Sequence, residues 1–246
     1  MMKRLITLTL PLALTLPLGC GGDAVATTAS ARGTQYIVGV DISSSRTPMD
    51  LRESQQLLQG LVGRMTYGDK LVVIEMYGAA EPQQVTDSIR VLRSATPSPR
   101  ERLELDDFRA RASAILPMFF DSTRKQQVLT TDVFGTLFRA ADYAKSPGHD
   151  RTVLVLLSDM IQATGEANME AQSGIPGTEW IEARAADQRL PDMTGICVVV
   201  SGAESKSARG AQIKRFWQDY FAKVGARMSA DRYRGLIADP SQISCS

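Results

Sequence analysis

The sequence predicts an α/β fold: a single doubly wound, mostly parallel central sheet flanked by helices. Residues 36–40, 70–76 and 152–157 are apolar on both faces rather than alternating, which is typical of strands buried in a parallel sheet. Amphipathic helical patterns separate these segments along the chain. Strands that alternate with helices favour right-handed crossovers, which place helices on both faces of the sheet.

The first half of the folded body begins with the predicted strand at residues 36–40. Thr47-Pro48 then marks a helix start, because a hydroxyl can cap the helix and proline suits its first turn. This helix carries one apolar face: Leu51, Leu58, Leu61, Val62 and Met65. The next elements are a strand at 70–76, a short edge or antiparallel strand at 88–92, and a helix from about residue 99 to 119.

The second half continues the alternation, with a helix from Asp132, the strand at 152–157, a helix at about 179–189 and a strand at 195–200. The last helix has apolar residues at a spacing of three to four and ends at Gly225: Ile213, Phe216, Trp217, Tyr220, Phe221 and Val224. We interpret this aromatic stripe as core packed on the sheet. A final strand is predicted near residues 228–233.

The N-terminal residues have the pattern of an export signal. Lys3 and Arg4 precede an apolar stretch that is too short to span a bilayer, which predicts a signal peptide over residues 1–19. Gly19-Cys20 resembles the lipobox of bacterial lipoproteins, in which the cysteine is lipidated, although Pro17 stands where that box prefers leucine. Residues 20–33 are rich in small residues and predict a flexible tether to a body at 34–246. The expected location is the bacterial cell envelope, with a lipid anchor on Cys20.

Charge and cysteine content narrow the class of protein. Lys and Arg number 28 against 27 Asp and Glu, and removal of Lys3 and Arg4 leaves 28 − 2 = 26 against 27, a net charge of −1. No basic run indicates a nucleic-acid partner. Apart from Cys20, Cys197 and Cys245 form an even pair for an oxidising compartment. A disulfide between them would attach the C-terminal tail to the sheet, and two free thiols are the alternative.

Oxygen-bearing side chains follow the first predicted strand in the segment Asp41-Ile-Ser43-Ser-Ser45. One carboxylate and two hydroxyls at one strand end suit a hard divalent cation. The strand at 152–157 leads to a second carboxylate, Asp159. Ligands of open α/β sheets bind beyond the carboxyl ends of the strands, where the strand order reverses. If these two strands are neighbours at that point, Asp41 and Asp159 face each other, with Thr130 or Thr131 near the same edge.

This set resembles the von Willebrand factor type A (VWA) domain and its metal-ion-dependent adhesion site. The family pattern is Asp-x-Ser-x-Ser, then a threonine before a helix, then an aspartate ending the central strand. The matching residues are Asp41, Ser43, Ser45, Thr131 and Asp159. The resemblance spans residues 34–233 and implies a Rossmann-like VWA fold. Met160 stands where the family often has glycine, and Thr130 is a rival for the hydroxyl ligand because Leu129-Thr130-Thr131 replaces the usual Gly-Gly-Thr.

The resemblance also implies a function. In the family the hydroxyls contact the metal directly, while the aspartates often act through water, so the cation stays electrophilic and accepts an Asp or Glu from a protein partner. Mg²⁺ suits such a site, and Ca²⁺ or Mn²⁺ could substitute. We therefore expect a lipid-anchored binding protein and not an enzyme, with the irregular stretch at 162–178 shaping specificity.

Other interpretations of the same residues stay open. Asp41 and the serines could serve only to cap the next helix, which would leave a metal-free scaffold lipoprotein. An envelope metal-dependent phosphohydrolase is the enzymatic alternative. A phosphatase of the haloacid dehalogenase type needs a second carboxylate where Ser43 stands, and a sugar-kinase phosphate loop needs glycines that residues 43–46 lack.

Two further polar residues are interpreted as structural. His149, the single histidine, lies in a turn that should be at the opposite edge of the sheet from Asp41. Arg46 is interpreted as a solvated loop charge, with a ligand-facing cation as the alternative.

Overall fold

A six-stranded sheet forms the centre of this computed structural model, which describes residues 33–76, 84–85, 98–125, 130–164, 167–171 and 174–245. The strands are β1 (Thr34–Asp41), β2 (Lys70–Met76), β3 (Gln84–Val85), β4 (Arg151–Leu157), β5 (Cys197–Ser201) and β6 (Tyr233–Arg234). Their order is β3-β2-β1-β4-β5-β6. Among the strands of the described residues, five are parallel, and the edge strand β3 is antiparallel to β2. The predicted doubly wound, mostly parallel sheet is confirmed.

Helices cover both faces of the sheet. They are α1 (Pro48–Arg64), α2 (Pro99–Lys125), α3 (Val133–Ala144), α4 (Thr178–Ala186) and α5 (Ala208–Lys223). Buried side chains of α1 and α2 form the core on one face, and those of α3, α4 and α5 form the core on the other. The aromatic stripe of α5 is core as predicted, with Trp217 and Phe221 fully buried. Within the described residues, no helix is long and apolar enough to cross a membrane.

The first helix begins where the sequence predicts it. The Thr47 hydroxyl accepts a hydrogen bond from the Asp50 amide at 3.2 Å, and the Asp50 carboxylate accepts one from the Thr47 amide at 2.7 Å. This reciprocal capping satisfies amides that the helix itself leaves without acceptors. It also sets the direction in which the chain leaves β1, and therefore the position of the loop at residues 42–46.

The predicted strand at 88–92 lies outside the described residues. The final strand is shorter than the predicted 228–233, because a 3₁₀ turn over Ala230–Arg232 precedes β6 and Arg227 forms only an isolated bridge to Cys197. Residues 229–231 are exposed, so this segment has no apolar face to bury against a helix layer, and it leaves the sheet.

The C-terminal tail returns to the α1–α2 face of the sheet. Ile237 and Ile243 are buried in that core. Cys245 forms a disulfide with Cys197 of β5, with the two Cα atoms 6.1 Å apart. The tail is therefore attached to a central strand by both apolar burial and a covalent bond.

Candidate metal centre

The strand order reverses between β1 and β4. β2 and β3 extend the sheet from one side of β1, whereas β4, β5 and β6 extend it from the other. Asp41 is the last residue of β1, and Asp159 lies two residues beyond the end of β4. Because β1 and β4 are parallel neighbours, both aspartates lie at the same carboxyl edge, in the crevice where α/β sheets bind ligands.

The Asp41 carboxylate is buried and surrounded by hydrogen-bond donors. Its Oδ1 accepts from the Ser43 amide at 3.0 Å and from the Thr131 hydroxyl at 3.2 Å, and its Oδ2 accepts from the Ser158 hydroxyl at 2.7 Å. Of the two candidate threonines, Thr131 is the one whose hydroxyl contacts Asp41. These contacts give the carboxylate one orientation and bring the loop before α3 to the end of β1.

The two serines link Asp41 to the second carboxylate. The hydroxyls of Ser43 and Ser45 are 2.9 Å apart, and the Ser45 hydroxyl donates to Asp159 Oδ2 at 3.0 Å. The other oxygen of Asp159 accepts from the Ile161 amide at 2.9 Å. Ser43 is buried and Ser45 is exposed, so the site opens to solvent on the Ser45 side. All five residues predicted from the sequence therefore meet at one place.

The two carboxylates affect each other electrostatically. Burial, and then the nearby charge of Asp41, raise the pKa of Asp159 to about 6, although the Ile161 amide, the Ser45 hydroxyl and the Arg46 charge act in the opposite direction. Ionising Asp159 places a second negative charge in a partly desolvated position. A divalent cation between the carboxylates would offset that charge.

The raised pKa of Asp159 predicts a pH dependence for the metal-free protein. The folded state holds the proton more tightly than the unfolded state, so the contribution of Asp159 to the free energy of unfolding falls as pH rises from about 4 through about 6. The loss is on the order of 2–3 kcal/mol. Asp159→Asn has no charge to desolvate. In EDTA its free energy of unfolding, relative to that of the wild type, should therefore increase between pH 4 and pH 7.

Chemical denaturation of both proteins at several pH values measures this difference. Asp41, Arg46 and Tyr233 interact electrostatically with Asp159 and are common to both proteins, as are the other carboxylates. The difference in stability therefore reports the titration of the interacting pair Asp41 and Asp159. A stability difference that does not change with pH would contradict the prediction.

The sequence interpretation of Arg46 as a solvated loop charge is wrong. Arg46 is only 9% exposed, and its Nη1 donates to the Gly202 carbonyl at 3.4 Å. Gly202 has a φ of +110°, and a Cβ there would lie 2.8 Å from Nη1. The loops after β1 and β5 close over the guanidinium, which a reading of residues 42–46 alone does not reveal.

Met160 has an unexpected backbone conformation for a side chain of its size. Its φ is 64°, in the left-handed region where glycine is favoured. The strain costs about 1–2 kcal/mol. Met160 is fully buried, and its carbonyl accepts from Trp217 Nε1 at 2.8 Å. Packing against α5 therefore holds the turn that presents Asp159.

Two buried side chains to which the sequence analysis gave no role hold the loops of the site in place. Ser158 donates to Asp41 and accepts from the Met160 amide at 2.9 Å. Gln162 Oε1 accepts from the Val133 amide at 2.7 Å and the Phe134 amide at 3.2 Å, so it caps α3 from the loop after β4. The Ala163 amide donates to the Thr131 carbonyl at 3.0 Å. The loops carrying Asp159 and Thr131 are thus joined directly. The position of Ser158 beside Asp159 at a strand end was the available signal; Gln162 gave none.

The donor set fits a hard cation. It consists of carboxylate and hydroxyl oxygens, which Mg²⁺ and Ca²⁺ prefer, and it lacks the imidazole and thiolate ligands typical of zinc. Within the described residues, no group of three or more His, Cys, Asp and Glu side chains forms a metal cluster, so a cation here would depend on the three hydroxyls as well as the two carboxylates.

His149 lies at the opposite edge, just before β4, as predicted. Cys20, the signal peptide and the tether lie outside the described residues.

The chain is similar to several solved structures. No family model and no curated protein sequence matches the chain. An aerotolerance-related membrane protein of Bacteroides fragilis, with multiple mutations to serines, is 17% identical with a TM-score of 0.46, over 86% of this chain and 95% of that one. A von Willebrand factor type A protein of Catenulispora acidiphila is 13% identical with a TM-score of 0.43, over 87% and 40%.

The mussel byssus proximal thread matrix protein 1, with a zinc-occupied MIDAS motif, is 11% identical with a TM-score of 0.42, over 81% of this chain and 44% of that one. This chain spans less than half the length of the mussel and Catenulispora chains. The strand order of this chain reverses between β1 and β4, and Asp41, Thr131 and Asp159 lie at that reversal, which is the arrangement that the resemblance to the VWA domain implies.

Proposed function

We propose that this protein is a lipid-anchored binding module of the bacterial cell envelope, which holds a divalent cation at the Asp41–Asp159 site and uses it to bind a protein partner. The observation that supports this most is the meeting of five oxygen-bearing side chains from three separate segments, linked by contacts of 2.9–3.2 Å. A capping role for Asp41 and the serines would not require Thr131 and Asp159 to join them.

The proposed chemistry follows from charge and donor type. Mg²⁺ is the preferred cation because it takes oxygen ligands and retains water, and Ca²⁺ or Mn²⁺ could replace it. Two carboxylates and three hydroxyls would leave room for an oxygen from outside. The exposed side of the site, at Ser45, is where an Asp or Glu of the partner would enter.

Mg²⁺ should raise the thermal stability of the full-length protein, and EDTA should reverse the effect. Binding only to the folded state stabilises it by about 2.7 kcal/mol at a hundred times Kd, which corresponds to a rise in Tm of roughly 5–10 °C for a chain of this size. Calorimetry with Mg²⁺, Ca²⁺, Mn²⁺ and Na⁺ at matched ionic strength measures it. An equal rise with Na⁺ would show a salt effect and not a site.

The same preparation separates binding from catalysis. A phosphohydrolase would turn over generic phosphate esters in Mg²⁺, whereas the proposed binding module would not. Sustained turnover that is lost with EDTA would replace the proposal with the enzymatic alternative. Pull-down from envelope extract with and without EDTA then tests for a partner, with a protein altered at Asp41 as the control bait.

The proposed anchor is tested separately from the metal. In a bacterial host, the wild-type chain should enter the detergent phase of a phase-separation assay, and Cys20→Ala should remain in the aqueous phase, because the acyl chains attach to that thiol. Mass spectrometry of the mature N-terminus should show acylated Cys20. If both proteins partition alike, the anchor at Cys20 is wrong, and the metal site is unaffected by that result.

A further inference from the structure

A buried guanidinium lies beside the candidate metal centre. Arg46 directly follows Ser45 in the chain, and it is 9% exposed. Its hydrogen bond to the Gly202 carbonyl, at 3.4 Å, is near the upper limit for such a bond. Its Nε is buried without a hydrogen-bond partner among the described residues. Arginine keeps its charge in proteins, so a guanidinium with so few bonds needs compensating negative charge nearby.

The loops after β1, β4 and β5 fix the position of this charge. A Cβ at Gly202 would lie 2.8 Å from Arg46 Nη1 and 3.0 Å from the Ser158 carbonyl oxygen. The guanidinium therefore lies close to the peptide group that precedes Asp159. The Arg46 amide donates to the Ser43 carbonyl at 3.1 Å, which closes a turn after β1. Both the backbone and the side chain thus hold Arg46 at the metal centre.

The compensating charge comes from carboxylates. Arg46 interacts electrostatically with Asp159 and with Asp50. The Asp50 carboxylate already caps α1, where it accepts hydrogen bonds from the Thr47 amide and the Thr47 hydroxyl, each at 2.7 Å. The carboxylates of the metal centre are buried at Asp41 and half-buried at Asp159, so water screens them less than it screens a surface pair.

We propose that Arg46 sets the net charge of the metal centre, and through it the balance between cation binding and partner binding. With Asp41 and Asp159 ionised, the empty site would carry two negative charges, and Arg46 leaves one. A divalent cation would then make the site positive by one charge, whereas without Arg46 the loaded site would be neutral. Arg46 therefore weakens the binding of Mg²⁺ and strengthens the attraction of the loaded site for a carboxylate of the partner. This deepens the proposed function and rests on it for the cation.

The effect on the cation is measured by isothermal titration of the full-length protein with Mg²⁺. Arg46→Met removes the charge and keeps much of the length of the side chain, so it should bind Mg²⁺ about tenfold more tightly than the wild type. Arg46→Lys keeps the charge and should stay within about threefold of the wild type. Arg151→Gln is the matched control, because it removes an exposed arginine at the opposite edge of the sheet. It should bind Mg²⁺ like the wild type.

The effect on the partner's carboxylate is measured with acetate as the probe. Each ¹⁵N-labelled protein is saturated with Mg²⁺, and acetate replaces chloride at constant ionic strength. The amide signal of Ser45, on the exposed side of the site, should move with acetate concentration in two-dimensional NMR. Arg46→Met should bind acetate about tenfold more weakly than the wild type, whereas Arg46→Lys and Arg151→Gln should bind it like the wild type. The neutral analogue acetamide should leave the Ser45 signal in place.

The proposal requires the two affinities to change in opposite directions. Loss of affinity for both Mg²⁺ and acetate in Arg46→Met would mean that Arg46 only holds the loops together. Unchanged affinities would mean that its charge does not reach the metal. Either result overturns the inference. Arg46→Gln is the second neutral variant, to be used if circular dichroism in EDTA shows that Arg46→Met does not fold.

The wild type separates this inference from the function on which it rests. If the wild-type protein binds no Mg²⁺, the proposed metal site fails and the role of Arg46 fails with it. If the wild type binds Mg²⁺ and the neutral variants at position 46 bind Mg²⁺ and acetate equally well, only the role of Arg46 fails and the metal site stands.

Discussion

Replacement of Asp41 by asparagine should lower the affinity for Mg²⁺ by at least about a hundredfold, since even partners behind a ligand change affinity 10–100-fold. Asp41 supplies one of the two carboxylates, and its orientation depends on Ser43, Thr131 and Ser158. Asparagine keeps the shape but removes the charge. Its amide nitrogen, which is a donor, would face another donor at a position where the carboxylate oxygen accepts a hydrogen bond. Isothermal titration with Mg²⁺ measures the loss.

The same substitution should also change the metal-free protein, by lowering the pKa of Asp159. The charge of Asp41 helps to raise the pKa of Asp159, so Asp41→Asn should bring that pKa back towards its ordinary value, as carboxyl-resolved NMR would show. Asp142→Asn is the matched control: it removes a carboxylate that is 74% exposed and paired with Lys145 at the far end of α3. Unchanged Mg²⁺ affinity in Asp41→Asn would remove the basis of the proposed function.

The second large effect concerns the C-terminal tail. Cys245→Ser should lower the free energy of unfolding by about 2–4 kcal/mol, the usual range for a disulfide that closes a long loop. The bond joins residues 48 apart in sequence and so restricts the unfolded chain considerably. In the folded state it holds a tail whose Ile243 is buried against the core of α1 and α2, and that packing should also loosen.

Denaturation with and without dithiothreitol checks this prediction. The reductant should lower the stability of the wild type to that of Cys245→Ser and leave the variant unchanged. Mg²⁺ binding should persist in Cys245→Ser, because the disulfide lies on the face of the sheet away from α3 and α5. A reductant effect of equal size in both proteins would mean that the stability comes from elsewhere, and mass spectrometry for free thiols would then identify the pairing.

The sheet and its helices were largely predictable because their signals are local. Runs that are apolar on both faces indicate parallel strands wherever they occur, and the spacing of Phe216, Trp217 and Tyr220 indicates a helix face. The strand near 228–233 was placed less well. Whether a short polar segment such as 229–231 stays in a sheet depends on what covers it, and the segment itself does not contain that information.

The candidate site was predictable in its members but not in its contacts. Asp41, Ser43 and Ser45 follow one another at a strand end, so their proximity is a local matter. Ser158, Gln162 and Arg46 have roles that depend on which loops meet. The hydrogen bond from Ser158 to Asp41 spans 117 residues, and the burial of Arg46 depends on Gly202, 156 residues away. No pattern within a window of sequence reports such distances.

The sequence by itself determined the class of fold, the alternation of its elements and the oxygen donors that follow β1 and β4, because hydrophobic periodicity and residue chemistry act over a few neighbouring positions. Only the tertiary structure decided that β1 and β4 are adjacent, that Thr131 meets Asp41, and that Arg46 is enclosed. These depend on strand order and on loops packing against one another, and that packing is settled by the burial of side chains distant in sequence.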